Sequence, residues 1–108
     1  MAAHHQKLAE GKWQTLNIAQ QLGNIGSEVG RALNWQKKGN PEQSQKALER
    51  GLELFDLSLA DKRWGSSQLK EIARSREVVC DYFQENQYKT SAEYLDKYFF
   101  QFGILARK

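Results

Sequence analysis

The sequence predicts an all-α protein, an antiparallel up-down-up-down four-helix bundle, on three observations. Apolar residues recur every three or four positions in four separate segments, the period of amphipathic helices. Capping residues, a proline and a glycine fall between segments, where helices start and stop. No Asn-Gly or Asp-Gly turn lies between alternating apolar runs, so nothing argues for a hairpin. A chain of 108 residues has the size of one domain, and short links between helices imply antiparallel neighbours. Residues 1–11 read as a flexible N-terminal lead and residues 12–108 as the single bundle domain.

The first predicted helix runs from about Trp13 to Trp35 on Leu16, Ile18, Ala19, Leu22, Ile25, Val29, Ala32 and Leu33. Lys37, Lys38 and Gly39 end it, because basic residues suit the negative helix terminus and glycine tolerates the left-handed cap. Asn40 is a strong N-cap, Pro41 fits the first helical position, and Gln43 completes an N-x-x-Q variant of the capping box. The second helix carries Ala47, Leu48, Leu52, Phe55 and Leu59 to about Ala60, while Leu54 and Leu57 widen its apolar face towards more than one neighbour. The turn-rich stretch Asp61–Ser67 then offers serine N-caps to a third helix from about Gln68 to Gln84. Thr90 and Glu93 form a T-x-x-E capping box for a fourth, on which Tyr94, Leu95, Tyr98, Phe99, Phe102, Leu105 and Ala106 repeat at helical spacing.

Within the first helix, Ala19, Gly23, Gly26 and Gly30 fall at i, i+4, i+7 and i+11, a strip almost without side chains. Each helical glycine costs roughly 1 kcal/mol relative to alanine, so the strip needs a compensating contact. The contact expected is another helix, of the same chain or of a second subunit. A homo-oligomer is accordingly part of the expectation.

Sixteen basic and thirteen acidic residues leave a net charge of +3 and a pI near 9.1, a modest excess. The bundle topology gathers Lys12, Lys62, Arg63, Arg107 and Lys108 at the end holding the second connection and both chain ends. That end is the expected surface for an acidic protein partner, or for nucleic acid. Cys80 is the single cysteine, which excludes an internal disulfide and a cysteine-built zinc site within one chain. No apolar run approaches the roughly 18 residues of a membrane span, and the opening residues lack the apolar centre of a secretory signal. The expected location is the cytoplasm, away from membranes.

Arg76 falls among the core-facing positions of the third helix. An unpaired buried charge costs several kcal/mol, so Glu28, Glu53 and Asp56 on neighbouring helices are its expected partners in a buried ion pair. General acid–base catalysis needs a tuned titratable group in a shaped site. His4 and His5, the only histidines, lie in the lead. Neither Glu-x-x-His metal motifs nor glycine-rich phosphate loops occur, so no catalytic residue, metal or cofactor is expected. The aromatics of the third and fourth helices have faces on which bases stack, but helical spacing assigns most of them to the core. Phe100 falls off that face and is expected on the surface, while Trp35 and Trp64 lie at helix ends or turns.

Two family resemblances attach to particular stretches. From Ser27 to Arg76, SEVGRALNWQKKGNPEQSQKALERGLELFDL followed by LKEIARSR resembles the small helical bundles of the HEPN superfamily in helix order and spacing. That superfamily includes RNases of toxin–antitoxin systems and non-catalytic partners of minimal nucleotidyltransferases. Catalytic members carry Arg and, four to six residues later, His; after Arg74 and Arg76 the corresponding positions hold Cys80, Asp81 or Tyr82, so the resemblance implies a non-nuclease member. The narrower stretch Ile25–Trp35, IGSEVGRALNW, is similar to a helix of the accessory variability proteins of diversity-generating retroelements. Those are basic four-helix bundles that oligomerise and bind a reverse transcriptase with its nucleic acid. The combined expectation is a non-catalytic, oligomerising adaptor or accessory protein that binds a protein partner, with nucleic acid as a further candidate ligand.

Overall fold

The computed structural model describes residues 11–107; His4, His5, Lys108 and nearly all of the predicted lead lie outside them. Among the described residues the chain forms α1 (Ile18–Lys37), α2 (Pro41–Leu59), α3 (Ser66–Tyr82) and α4 (Ala92–Ala106), with one 3-10 turn at Trp13–Thr15 and no strand. The predicted all-α four-helix bundle is the architecture observed.

Local chemistry sets each boundary. The first helix begins at Ile18 rather than Trp13, because Leu16 is extended and Asn17 caps the helix: its side chain accepts from the Gln20 N–H at 2.8 Å, and the Gln20 side chain accepts from the Asn17 N–H at 2.9 Å. Gly39, at φ +75°, ends α1, and the Asn40 side chain accepts from the Gln43 N–H at 3.1 Å to open α2 with Pro41 in its first turn. The third helix starts at Ser66, earlier than predicted; the Gln68 side chain, not a serine, satisfies the Gly65 N–H at 2.9 Å. The fourth is capped by Ser91, which accepts from the Tyr94 N–H at 3.0 Å. Thr90 is not that cap, because its N–H and carbonyl both pair with the Asn86 side chain in the preceding loop.

Helix α1 is the centre, packed against α2 on one side and α4 on the other, while α2 also packs against α3. The α1–α2 pairing is antiparallel: Ser44 Oγ donates to the Ala32 carbonyl at 2.8 Å near one end, and Ser58 Oγ donates to Gln21 Oε1 at 2.8 Å near the other. Against α4, Gly23 faces Gly103 and Gly26 faces Phe99, again antiparallel. The last turns of α1 and α3 meet where Tyr82 donates to Gln36, and α3 meets α4 where Tyr98 donates to Glu71. Leu22, Ile25, Val29, Phe55, Ile72, Val79, Leu95 and Phe99 fill the core, with the Phe55 and Phe99 rings edge-on at 6.3 Å.

The glycine strip divides along its length. A Cβ on Gly23 would sit 3.6 Å from the Gly103 backbone, and one on Gly26 would sit 2.5 Å from the Phe99 Cβ, so α1 and α4 approach through missing side chains. Ala19 is half-buried, and a Cβ on Gly30 would meet nothing within 4 Å. The helix lying against the strip therefore belongs to the same chain, and it covers Gly23 and Gly26 but not Gly30.

Candidate functional site

The segment from Trp13 to Trp64 builds a buried polar cluster where the entry to α1 meets the α2–α3 connection. Trp13, fully buried, donates its indole N–H to Ser58 Oγ at 3.1 Å. Gln21, also buried, donates to the Trp13 carbonyl and to Asp61 Oδ2, both at 3.0 Å, and accepts from Trp64 Nε1 at 3.3 Å. Asp61 in turn accepts from Arg63 Nη2 at 2.7 Å and from Arg63 Nε at 3.0 Å. The Arg63 hydrogen bonds hold the Asp61 carboxyl well below the usual carboxylate range, at about 2, against the opposing effect of burial. Among the described residues these hydrogen bonds tie the entry of α1 to the α2–α3 connection.

The pairing with Asp61 gives Arg63 partners within its own chain while its side chain stays 42% exposed. Its guanidinium also donates to the Leu16 carbonyl at 2.5 Å and lies 4.4 Å from the Trp64 ring centroid. Hydrogen bonding to Asp61 raises its pKa further. Lys12, Lys62 and Arg107 are exposed, and Lys108 lies outside the described residues. The bundle end thus presents Lys12, Lys62 and Arg107, with Arg63 also exposed but paired to Asp61.

Arg76 is not a buried charge. Its Nε meets Asp56 Oδ1 at 3.0 Å, but the two side chains are 34% and 62% exposed, so this is a surface ion pair of small energetic value. Glu28 is the buried carboxylate instead, held by Arg31 one turn along α1 and by Arg50 of α2 at 2.5 Å. Gly51 makes room for it: a Cβ there would lie 3.4 Å from the Glu28 Cβ. Glu53 is half-buried on α2.

Two of the open surfaces flank α4. Between α3 and α4, Arg74, Glu77, Tyr88, Lys89 and Tyr94 rim a cleft whose deeper wall includes Val78, Leu95, Tyr98 and Phe99. Tyr88 donates to Glu77 at 2.5 Å and Tyr98 to Glu71. Burial first, then the Glu71 bond, raises the Tyr98 pKa; the Glu77 bond raises that of Tyr88, so both phenols stay protonated near neutrality. On the other side of α4, Phe100 is 66% exposed with Ile104 one turn on, while Leu105 is exposed on a different face of the helix. A shallow groove there is lined by Gly23, Gly26 and Ser27 of α1 and by Asp96, Phe100, Gly103 and Arg107 of α4.

Burial pushes the Cys80 thiol up, away from the thiolate that nucleophilic chemistry needs. Among the described residues no three His, Cys, Asp or Glu side chains gather as metal ligands, and no helix is long and apolar enough to cross a membrane.

The fold and these surfaces define an all-α four-helix bundle with an uncovered apolar edge. No protein-family model, curated protein or solved structure matches the chain.

Proposed function

We propose that this chain is a non-catalytic helical adaptor whose work is association with protein. The observation that carries the reading is the exposure of Phe100 and, one turn on, Ile104 on α4, with Phe100 lining a groove between α4 and α1. Apolar side chains clustered at a helix surface mark contact sites more often than scattered single ones do. Lys12, Lys62 and Arg107 add positive charge for an acidic partner, in line with the accessory roles implied by both family resemblances. The test is co-expression with the products of neighbouring genes, a nucleotidyltransferase or reverse transcriptase above all, followed by size-exclusion chromatography. A stoichiometric complex lost in a Phe100→Glu, Ile104→Glu variant of unchanged circular dichroism is expected. Failure of every neighbour to co-elute would overturn the reading.

One observation favours a second reading, nucleic-acid binding by a HEPN-like bundle. Arg74 and Lys89 rim the same cleft as Tyr88 and Tyr94, cations beside rings that stack on bases. Glu71 and Glu77 oppose it by placing negative charge at the same rim. Under this reading a single-stranded RNA shifts on a gel at low salt, binding falls steeply as salt rises, and Arg74→Ala abolishes it.

A further inference from the structure

We propose that the outer edge of α4 is a two-fold seam that pairs, antiparallel, with the same edge of a second copy of this chain. The proposal rests on the reading of the chain as an association module and names the occupant of its exposed edge. Asp96, Phe100, Gly103 and Arg107 follow one another at intervals of four, three and four residues, the spacing of a coiled-coil stripe, and all four line the same groove. In an antiparallel pair such positions meet in alternation. Setting Phe100 against Gly103 of the second copy brings Asp96 opposite Arg107 of the second copy in the same register. The two-fold axis repeats both contacts, as an isologous interface requires.

Each contact answers a feature the isolated chain leaves unexplained. Phe100 projects into solvent at 66% exposure, while a Cβ on Gly103 would meet nothing within 4 Å. Internal packing therefore does not demand glycine at that position, although glycine inside a helix costs roughly 1 kcal/mol relative to alanine. A phenylalanine knob from a second copy needs that gap. Among the described residues neither Asp96 nor Arg107 forms an ion pair within its own chain, so each is available to the other's copy. The α1 side of the groove is lined by Gly23, Gly26 and Ser27, of which Gly23 and Gly26 already lie against α4.

Sedimentation equilibrium from micromolar to hundreds of micromolar protein tests the seam. Wild type is expected to approach twice the 12.5 kDa chain mass. A Gly103→Leu variant fills the gap from a Cβ that meets nothing within 4 Å, and is expected to keep the wild-type circular dichroism but be monomeric. Asp96→Arg and Arg107→Asp are each expected to weaken dimerisation about tenfold, and their combination to restore it, because the reversed pair is again complementary. A wild type that stays monomeric throughout the range overturns the seam, as does a dimer that survives Gly103→Leu. A combined charge reversal no better than either single one overturns the register. A monomeric wild type that still forms a complex with a neighbouring gene product retires the seam alone, whereas absence of both retires the adaptor reading with it.

Discussion

Gly26 and Gly30 stand one helical turn apart on the same strip, yet replacing them has opposite consequences. A methyl on Gly26 would lie 2.5 Å from the Phe99 Cβ, an atom fixed to the α4 backbone, so α4 itself must retreat. Gly26→Ala is expected to lower the melting temperature despite alanine's better helix propensity. Gly30→Ala meets nothing and is expected to raise it by several degrees, the value of about 1 kcal/mol in a domain of this size. Thermal denaturation of the two variants side by side checks the pair. At Asp61 the expectation concerns pH. Its carboxyl is depressed from 3.8 to about 2, so its contribution to stability is complete above the unfolded value and is lost as pH falls through that interval. Asp61→Asn is expected to cost about 2 kcal/mol near neutrality and to flatten the acid limb of a urea-denaturation series taken from pH 5 to pH 2. Gln21 could not be read in this role, since a glutamine beside Leu22 looks like surface until Trp13 and Asp61 are seen on either side of it.

At the level of elements, all four helices were legible because apolar period and caps agree, as at Gly39, Asn40 and Pro41. The start of α1 was not: Trp13 and Leu16 continue its three-residue spacing, so periodicity extends the helix through a turn that only the Asn17 cap interrupts. The Arg63 pairing was not visible because its partner lies two residues before it in a turn, a geometry that periodicity does not describe. The buried Glu28 pairing was half visible, as Arg31 follows at i+3, but Arg50 reaches it only across the helix interface. The α3–α4 connection shows most clearly what pattern misses. The Asp81 carboxylate accepts from the Gln87 and Tyr88 N–H groups, its carbonyl accepts from Asn86, and Asn86 and Lys89 adopt φ near +50° around it. Asp81→Ala is expected to speed amide exchange at Gln87 and Tyr88 by at least tenfold while leaving the α1 core protected.

At the scale of the molecule, α1 contacts both α2 and α4, and the polar cluster ties its entry to the α2–α3 connection, so no helix has a core of its own. The radius of gyration, 13.4 Å, is that of one compact unit. Unfolding is expected to be a single transition, with tryptophan fluorescence from buried Trp13 and far-UV dichroism giving the same midpoint in urea. One pair of neighbours in α4 carries a wider consequence. Phe99 wedges into the notch at Gly26 while Phe100, the next residue, faces solvent, so a single peptide bond joins the anchor of the helix to its free side. Any shift that eases the anchor turns or slides the outward ring as well. Mutations deep beneath α4 should therefore be felt by whatever docks on top of it, without either party touching the altered atom.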